Sequence, residues 1–178
     1  MSTQELVDGV PAELAALAHE MLQHACEAKL SIATAESCTG GLLASLLTDM
    51  EGVSSAFERG YVVYSSRAKC ELLNIAPDRI ERCGAVSEEV ARAKAEGALV
   101  ASQADIALSI TGFAGPGGPD DEPGRVHLAC ASRDGATHHE ERRFGNIGRG
   151  PVRLAALAVA LDMLSVAVES LSRVDESV

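Results

Sequence analysis

Residues 30–50 set the frame for the whole chain. A short apolar run that suits a buried strand, Leu30-Ser31-Ile32-Ala33, passes into the polar stretch Thr34-Ala35-Glu36-Ser37-Cys38-Thr39-Gly40-Gly41. That stretch leads to Leu42, Leu43, Leu46, Leu47 and Met50, apolar at helical spacing. A strand that enters a helix through a hydroxyl- and glycine-rich turn is the building unit of α/β domains. Such turns are where those domains place ligands and nucleophiles. Free N–H groups at a helix start can hold a phosphate or a developing oxyanion. The same Ser and Thr would serve equally well as plain N-caps.

The flanking sequence supplies the other layers. Residues 1–10 read as a mobile leader and 11–28 as an amphipathic helix, with Pro11 at its first position and Leu14, Leu17, Ala18, Met21 and Ala25 on one face. Phe57 to Tyr64 has strand composition, with Gly60 suited to a bulge. Ser65 to Lys69 opens a short helix, Pro77 to Cys83 forms a helical turn ended by Gly84, and Ser87 caps a helix to about Ser102. Asp105 to Ile110 is a buried strand that ends in a Gly- and Pro-rich loop, Thr111 to Gly124. Arg125 to Ser132 and Thr137 to Phe144 flank Asp134-Gly135, a two-residue hairpin signal. Pro151 starts a helix to about Leu171, and 172–178 read as a frayed tail. That helix is apolar nearly all round, which points to a central position or a homo-oligomer interface. The order predicts a three-layer α/β/α single domain over residues 11–171, its sheet mixed because the hairpin adds an antiparallel pair.

Composition narrows the partners. A formal net charge of −11 disfavours sequence-independent binding to nucleic acid or to anionic lipid, yet leaves room for a small anion held by one or two arginines. No uninterrupted apolar run reaches a bilayer span. Five scattered cysteines without a C-x-x-C pair, and an acidic N-terminus without an apolar signal core, predict a cytoplasmic protein with free thiols.

Lys69 is the first candidate for chemistry. It lies in the first turn of its helix, where the macrodipole disfavours a cation; burial there would add to the push toward the neutral amine that a general base needs. Three nucleophiles compete for it. Ser66-Arg67-Ala68-Lys69 has S-x-x-K spacing but lacks the S-D-N and K-T-G elements of serine β-lactamases; Ser37 sits at another helix start; Cys38 has no evident histidine partner. Arg149 and Arg153 open the last helix as permanent cations suited to phosphate or carboxylate. The glycine loops match neither G-x-G-x-x-G nor a P-loop. His138 and His139, adjacent on a strand, point to opposite faces, so no metal is expected.

Read together, Thr34 to Gly41, Phe57-Glu58-Arg59-Gly60, Tyr64-Ser65, Lys69, Gly84-Ala85-Val86-Ser87 and Thr111-Gly112-Phe113-Ala114-Gly115-Pro116 resemble, in order, the CinA C-terminal domain family. The resemblance covers roughly residues 11–170 and is to the stand-alone version of that domain. Active members are nicotinamide-nucleotide amidohydrolases, which convert nicotinamide mononucleotide to nicotinate mononucleotide and ammonia without a cofactor. The resemblance implies Ser37 as nucleophile, Lys69 as its base and Tyr64 in the lysine's hydrogen-bond network. It further implies an oxyanion cradle of N–H groups over Cys38, Thr39, Gly40 and Gly41. With charge, it points to nucleotide binding by Thr111, Gly112, Ala114, Gly115 and Arg149. Two departures stand out: the family's Y-S-N reads Tyr64-Ser65-Ser66, and its G-D-R reads Gly145-Asn146-Ile147-Gly148-Arg149. A catalytically silent nucleotide-binding paralogue and a serine–lysine amidase for another amide are the competing expectations.

Overall fold

The computed structural model describes residues 9–116, 118 and 121–175. Most of the expected leader, and residues 176–178 of the expected tail, lie outside them. The elements run α1 (Ala12–Glu27), β1 (Ile32–Glu36), α2 (Leu42–Thr48), β2 (Phe57–Val62), α3 (Ser66–Leu73), α4 (Pro77–Cys83), α5 (Glu88–Val100), β3 (Ile106–Gly112), β4 (Arg125–Ser132), β5 (Thr137–Arg143) and α6 (Arg149–Asp175). They form the expected mixed sheet, in the order β2-β1-β3-β4-β5. β1 pairs parallel with β2 and β3, and β4 pairs antiparallel with β3 and β5.

Helices cover both faces. Met21 and Leu22 of α1, Leu43, Leu46 and Leu47 of α2, and Leu157, Leu161 and Leu164 of α6 pack on Ile32, Ile106, Leu108, Ile110 and Leu128. On the other face, Leu73 of α3, Ile80 of α4 and Val90, Ala93 and Ala98 of α5 close over Ala33, Ala35 and Ala107. The aliphatic and alanine-rich composition follows from this: every strand side chain in β1 and β3 that faces α5 must be small for a helix to lie so near.

Three local expectations change. β1 runs on to Glu36, so Thr34, Ala35 and Glu36 are strand and the turn begins only at Ser37. The bulge in β2 falls at Glu58, because Ile32 pairs Phe57 while Ala33 pairs Arg59. Gly60 serves close packing instead, since a Cβ there would come 3.0 Å from both Ala44 Cβ and Thr34 Oγ1. The hairpin turn is longer than two residues: Asp134 Oδ1 accepts from Ser132 Oγ and Ala136 N, and Gly135 takes φ +92°. Residues Arg149–Arg173 of α6 have the length and composition of a bilayer span, although Asp162 interrupts the apolar run. Its Val152, Ala156, Leu157, Ala160, Leu161, Leu164 and Val168 are spent on the core.

The topology creates one crevice. From β1 the chain turns outward to β2 at the sheet edge, and from β3 it turns the opposite way to β4. Carboxyl ends of adjacent parallel strands whose connections diverge in this way leave an open cleft. β1 ends in Glu36-Ser37 and β3 in Thr111-Gly112.

The packing of α3 on α5 gives a direct test. A Cβ at Gly97 would lie 2.3 Å from the Leu73 carbonyl oxygen. Gly97→Ala gains about 1 kcal/mol of helix propensity, but overpacking against main chain costs about 2–3 kcal/mol. Urea denaturation is expected to give a lowered midpoint; a raised one would contradict this contact.

Candidate active site

Glu36 organises the turn. Fully buried at 0% exposure, it directs both carboxylate oxygens at the start of α2, where Oε2 accepts from Gly41 N and Leu43 N at 3.1 Å and Oε1 from Ala44 N at 2.9 Å. α2 therefore has no ordinary N-cap; Gly41, left-handed at φ +92°, stands in that position without a side chain. A strand residue caps the following helix and clamps the intervening residues between two rigid elements.

The clamp decides which N–H groups remain for a ligand. Gly41 N–H is held by Glu36, and Gly40 N–H donates to the Ser37 carbonyl at 3.0 Å. The expected cradle over Cys38, Thr39, Gly40 and Gly41 thus narrows to the N–H groups of Cys38 and Thr39. Among the described residues these have no protein acceptor beyond the sulfur of Cys38 itself. Arg153 donates to the Thr39 carbonyl and lies against Gly40, so this arginine braces the turn from behind.

Ser37, 7% exposed, donates its hydroxyl to the Ile110 carbonyl at 3.1 Å. The β1–β3 ladder ends at Ala35 and Ser109, and Ile110 lies one residue beyond that last pair. Lys69, 2% exposed, comes from α3, where Ser65 caps the helix by accepting from Ala68 N. Its Nζ donates to the Tyr64 carbonyl at 2.8 Å, with a longer contact to the Ser65 carbonyl at 3.5 Å. Burial lowers its pKa from the ordinary lysine value. Burial acts on Cys38 in the other direction, raising its pKa and keeping it a thiol. Ser37 and Lys69 share one cavity but here donate to separate carbonyls, not to each other.

That cavity, of about 260 Å³, holds Ser37, Cys38, Tyr64, Lys69, Thr111, Gly112, Ala114, Gly115 and Arg149 in its wall. Thr39, Gly40 and Gly41 stand behind it. Tyr64 enters the hydrogen-bonding of Lys69 through its main-chain carbonyl, and the residue itself is 71% exposed. Thr111 turns its hydroxyl to the Ala85 carbonyl at 2.8 Å and so pins the α4–α5 loop over the cleft. Gly112 is required by the sheet, where a Cβ would meet Arg125 O and Val126 at 2.8 Å. Arg149 lays its guanidinium beside Gly115, 3.2 Å from where a Cβ would be. Ala85, Val86 and Phe113 supply an apolar wall. Ser66 does not line the cavity. A larger groove, about 690 Å³, between the ends of α1 and α6 shares none of these residues and contains no aligned nucleophile. Among the described residues no group of three or more His, Cys, Asp or Glu could hold a metal ion.

One residue in this region was missed by sequence reasoning. Lys94 of α5 is 0% exposed, and its Nζ donates to the same Ile110 carbonyl at 2.5 Å. Burial, aided by the charge of Lys69, lowers its pKa to about 7. Its signal was present in the sequence: Val90, Lys94 and Ala98 follow at i, i+4 and i+8, which sets a lysine on the apolar stripe.

The chain matches the CinA C-terminal domain over residues 14–168. It is similar to a CinA-like protein of Akkermansia muciniphila, 48% identical over 128 residues, which are 71% of this chain and 31% of that protein. A CinA-like protein of Chlorobaculum tepidum is 52% identical over 122 residues, 66% of this chain and 29% of its own length. A putative competence-damage inducible protein of Acetivibrio thermocellus is 45% identical over 137 residues, with coverage of 76% and 33%. The chain spans about a third of the length of these curated relatives. Among solved structures, the competence/damage inducible protein CihA of Agrobacterium tumefaciens superposes with a TM-score of 0.85 at 41% identity, over 89% of this chain and 97% of that one. A CinA superfamily protein of Escherichia coli superposes with a TM-score of 0.80 at 33% identity, covering 92% and 94%.

Two stability measurements test this electrostatic arrangement. Glu36→Ala strands three N–H donors in the interior, and a loss of about 3 kcal/mol or more is expected by chemical denaturation; a loss under about 1 kcal/mol would contradict the clamp. For Lys94, the unfolded chain holds a proton up to about pH 10.5, while the folded chain releases it near pH 7. The unfolded state therefore binds more protons between these values, and this term raises stability as pH climbs from 7 to 10.5. Lys94→Met removes the penalty. It is expected to stabilise the protein at pH 6 by about 3–5 kcal/mol more than at pH 10.5. A pH-independent difference would contradict the burial assignment.

Proposed function

The chain belongs to the CinA C-terminal domain family, and on that premise we propose that it is an amidohydrolase that deamidates nicotinamide mononucleotide to nicotinate mononucleotide and ammonia. The observation that carries this reading is the meeting of Ser37, buried Lys69 and Arg149 in one cleft at the diverging ends of β1 and β3. A serine needs a neighbouring base, and an amide needs its developing oxyanion held. A nucleotide phosphate needs a fixed cation. The cleft supplies a group for each. Ala85, Val86 and Phe113 offer an apolar wall to a flat pyridine ring. Five free thiols support a reducing, cytoplasmic setting for such an enzyme.

The reaction follows from these parts. Ser37 turns its hydroxyl from the Ile110 carbonyl toward Lys69, whose neutral amine takes the proton as Oγ bonds to the carboxamide carbon. The carbonyl oxygen becomes an anion beside Cys38 N–H and Thr39 N–H. As the C–N bond breaks, Lys69 returns its proton to the leaving nitrogen and ammonia departs, leaving an ester on Ser37. Water then attacks that ester with Lys69 again as base, releasing the pyridine carboxylate and restoring the serine. Arg149 beside Gly115 holds the phosphate, and Tyr64 bounds the mouth while its carbonyl fixes the lysine. A second reading, a catalytically silent nucleotide-binding protein, is favoured by one observation, the docking of Ser37 and Lys69 on separate carbonyls.

Ammonia release from nicotinamide mononucleotide separates the two readings. The wild type is expected to turn over, while Ser37→Ala and Lys69→Ala each lose about 10²–10⁴-fold in kcat and the double variant loses no more than the worse single one. Nucleotide binding by a folded wild type without ammonia release would select the silent reading. Release from another amide but not from this nucleotide would keep the Ser37–Lys69 chemistry and reject the substrate. Arg149→Gln is expected to raise KM by about tenfold or more with kcat little changed; an unchanged KM would remove Arg149 from phosphate binding.

A further inference from the structure

The cleft chemistry leaves a buried pair of histidines unused. His127 of β4, 5% exposed, and His139 of β5 lie on the sheet face that carries α5. Nδ1 of His127 is 3.0 Å from Nε2 of His139, and the two rings stack with centroids 5.3 Å apart. Nδ1 of His139 in turn lies 3.5 Å from Oε2 of Glu88, in the first turn of α5. A neutral imidazole carries one N–H and one acceptor nitrogen, so this chain of contacts fixes both tautomers. His139 turns its Nδ1 proton to Glu88 and accepts at Nε2; His127 then carries its own proton on Nδ1. The apolar contact beside them is slight, Ala91 and Ala95 of α5 against Ala129 and Ala131 of β4. A second polar tie runs through Arg92, which donates to the Thr137 carbonyl of β5 at 2.7 Å and pairs with Glu88. The same end of α5 carries a wall of the cleft. Ala85 and Val86 line the cavity just before the Ser87 cap, and Thr111, which holds the Ala85 carbonyl, is the cross-strand partner of His127.

We infer that His127 and His139 form an acid-sensitive latch: neutral, they hold the first turn of α5 and the cleft wall before it on the sheet, and doubly protonated they release both. Two imidazolium rings offer donors only, so across 3.0 Å their N–H groups and their charges oppose each other. One added proton is tolerated, because His127 can change tautomer and accept from His139. The second proton leaves no acceptor between the rings, and release is therefore steep in pH. The charged groups acting on the pair are Glu88 and Arg92 of α5, Arg125 of β4, and Glu140 and Glu141 of β5. The acids favour a protonated ring and the arginines oppose it. Burial outweighs them all and holds both rings below the ordinary histidine value, so the latch is closed at neutral pH. The unfolded chain takes up these protons at the ordinary value. It binds more protons than the folded chain as pH falls, so the pair's contribution to stability is present above about pH 6.5 and lost below it. The latch is independent of which substrate the cleft takes.

Rings and helix are read separately. Long-range ¹H–¹⁵N spectra of the imidazoles, assigned with His127→Gln and His139→Gln, are expected to show both rings at about pH 7.5 as neutral Nδ1–H tautomers. An Nε2–H tautomer or a protonated ring at that pH would overturn the latch. Hydrogen exchange then follows the Val90 and Ala91 N–H groups, which Ser87 holds through its hydroxyl and its carbonyl. Between about pH 7.5 and about pH 5, corrected for intrinsic exchange, their protection is expected to fall about tenfold or more while amides of α6 keep theirs. Glutamine can accept from one ring and donate to another group without titrating. In His139→Gln and in His127→Gln the Val90 and Ala91 protection is therefore expected to persist at the lower pH. Wild-type protection that survives acid, or both glutamine variants losing it as the wild type does, would overturn the latch. Loss of α6 protection together with that of α5 would mean global acid unfolding and would overturn it also. All of these readings are made without nucleotide, so they are decided apart from the proposed reaction.

Discussion

The buried carboxylate of Glu36 is the interaction on which the rest of the cleft depends. It ends β1 and begins α2 at once, because its two oxygens take three N–H groups that the helix cannot satisfy itself. Each hydrogen bond to a charged acceptor of this kind is worth about 1.5–3 kcal/mol, well above a neutral pair. The Ser37–Gly41 turn is therefore strung between two rigid elements and has no freedom to relax. That rigidity is what a preorganised anion site needs, since donors that must move to meet a charge lose much of their advantage. The same clamp selects the donors, consuming Gly41 N–H while Cys38 N–H and Thr39 N–H stay unspent.

From this clamp outward, the site is assembled by small departures from regular structure. The β1–β3 ladder stops one pair short of Ile110, and the carbonyl just beyond it becomes the anchor of Ser37 and Lys94. Tyr64 and Ser65, between β2 and α3, present carbonyls to Lys69 at the very start of its helix. Thr111 reaches back to Ala85, so the end of β3 carries the α4–α5 loop as a wall. Each of these groups lies where a strand has ended and its backbone acceptors are no longer all paired. The cleft at the diverging ends of β1 and β3 is thus the place where polar chemistry can be buried at least cost.

Much of this was legible in the residues. The cap read at Ser87 does bind Val90 N, and the short helix read from Ser65 onward is capped by the Ser65 hydroxyl on Ala68 N. The mixed three-layer sheet followed from the order of periodicities, and of the residues that the family resemblance singled out, Ser37, Cys38, Tyr64, Lys69, Thr111, Gly112, Ala114, Gly115 and Arg149 line a single cavity while Thr39, Gly40 and Gly41 do not. What could not be read were the partners of groups whose acceptors are distant in sequence. Glu36 looked like part of a polar turn, because nothing local says that a carboxylate will find three N–H groups and so can be buried in a strand. Tyr64 was placed in the hydrogen-bond network of Lys69, and nothing in the sequence says that the group it offers is its main-chain carbonyl. Lys94 was hidden by its neighbours: a helix rich in alanine and charge masks a lysine on the apolar stripe, and its acceptor lies 16 residues further on. The bulge was assigned to Gly60 on residue type, while packing against Ala44 and Thr34 gives that glycine its use.

The central claim is that Ser37 becomes covalently acylated by the amide it cleaves. Its most direct test is rapid acid quenching of the protein during turnover of nicotinamide mononucleotide, followed by mass analysis of its peptides. The account predicts a nicotinoyl-nucleotide ester on the peptide that carries Ser37, forming before product and decaying with it. An adduct on Cys38 or Ser66, or turnover with no acyl-protein at any time point, would contradict it.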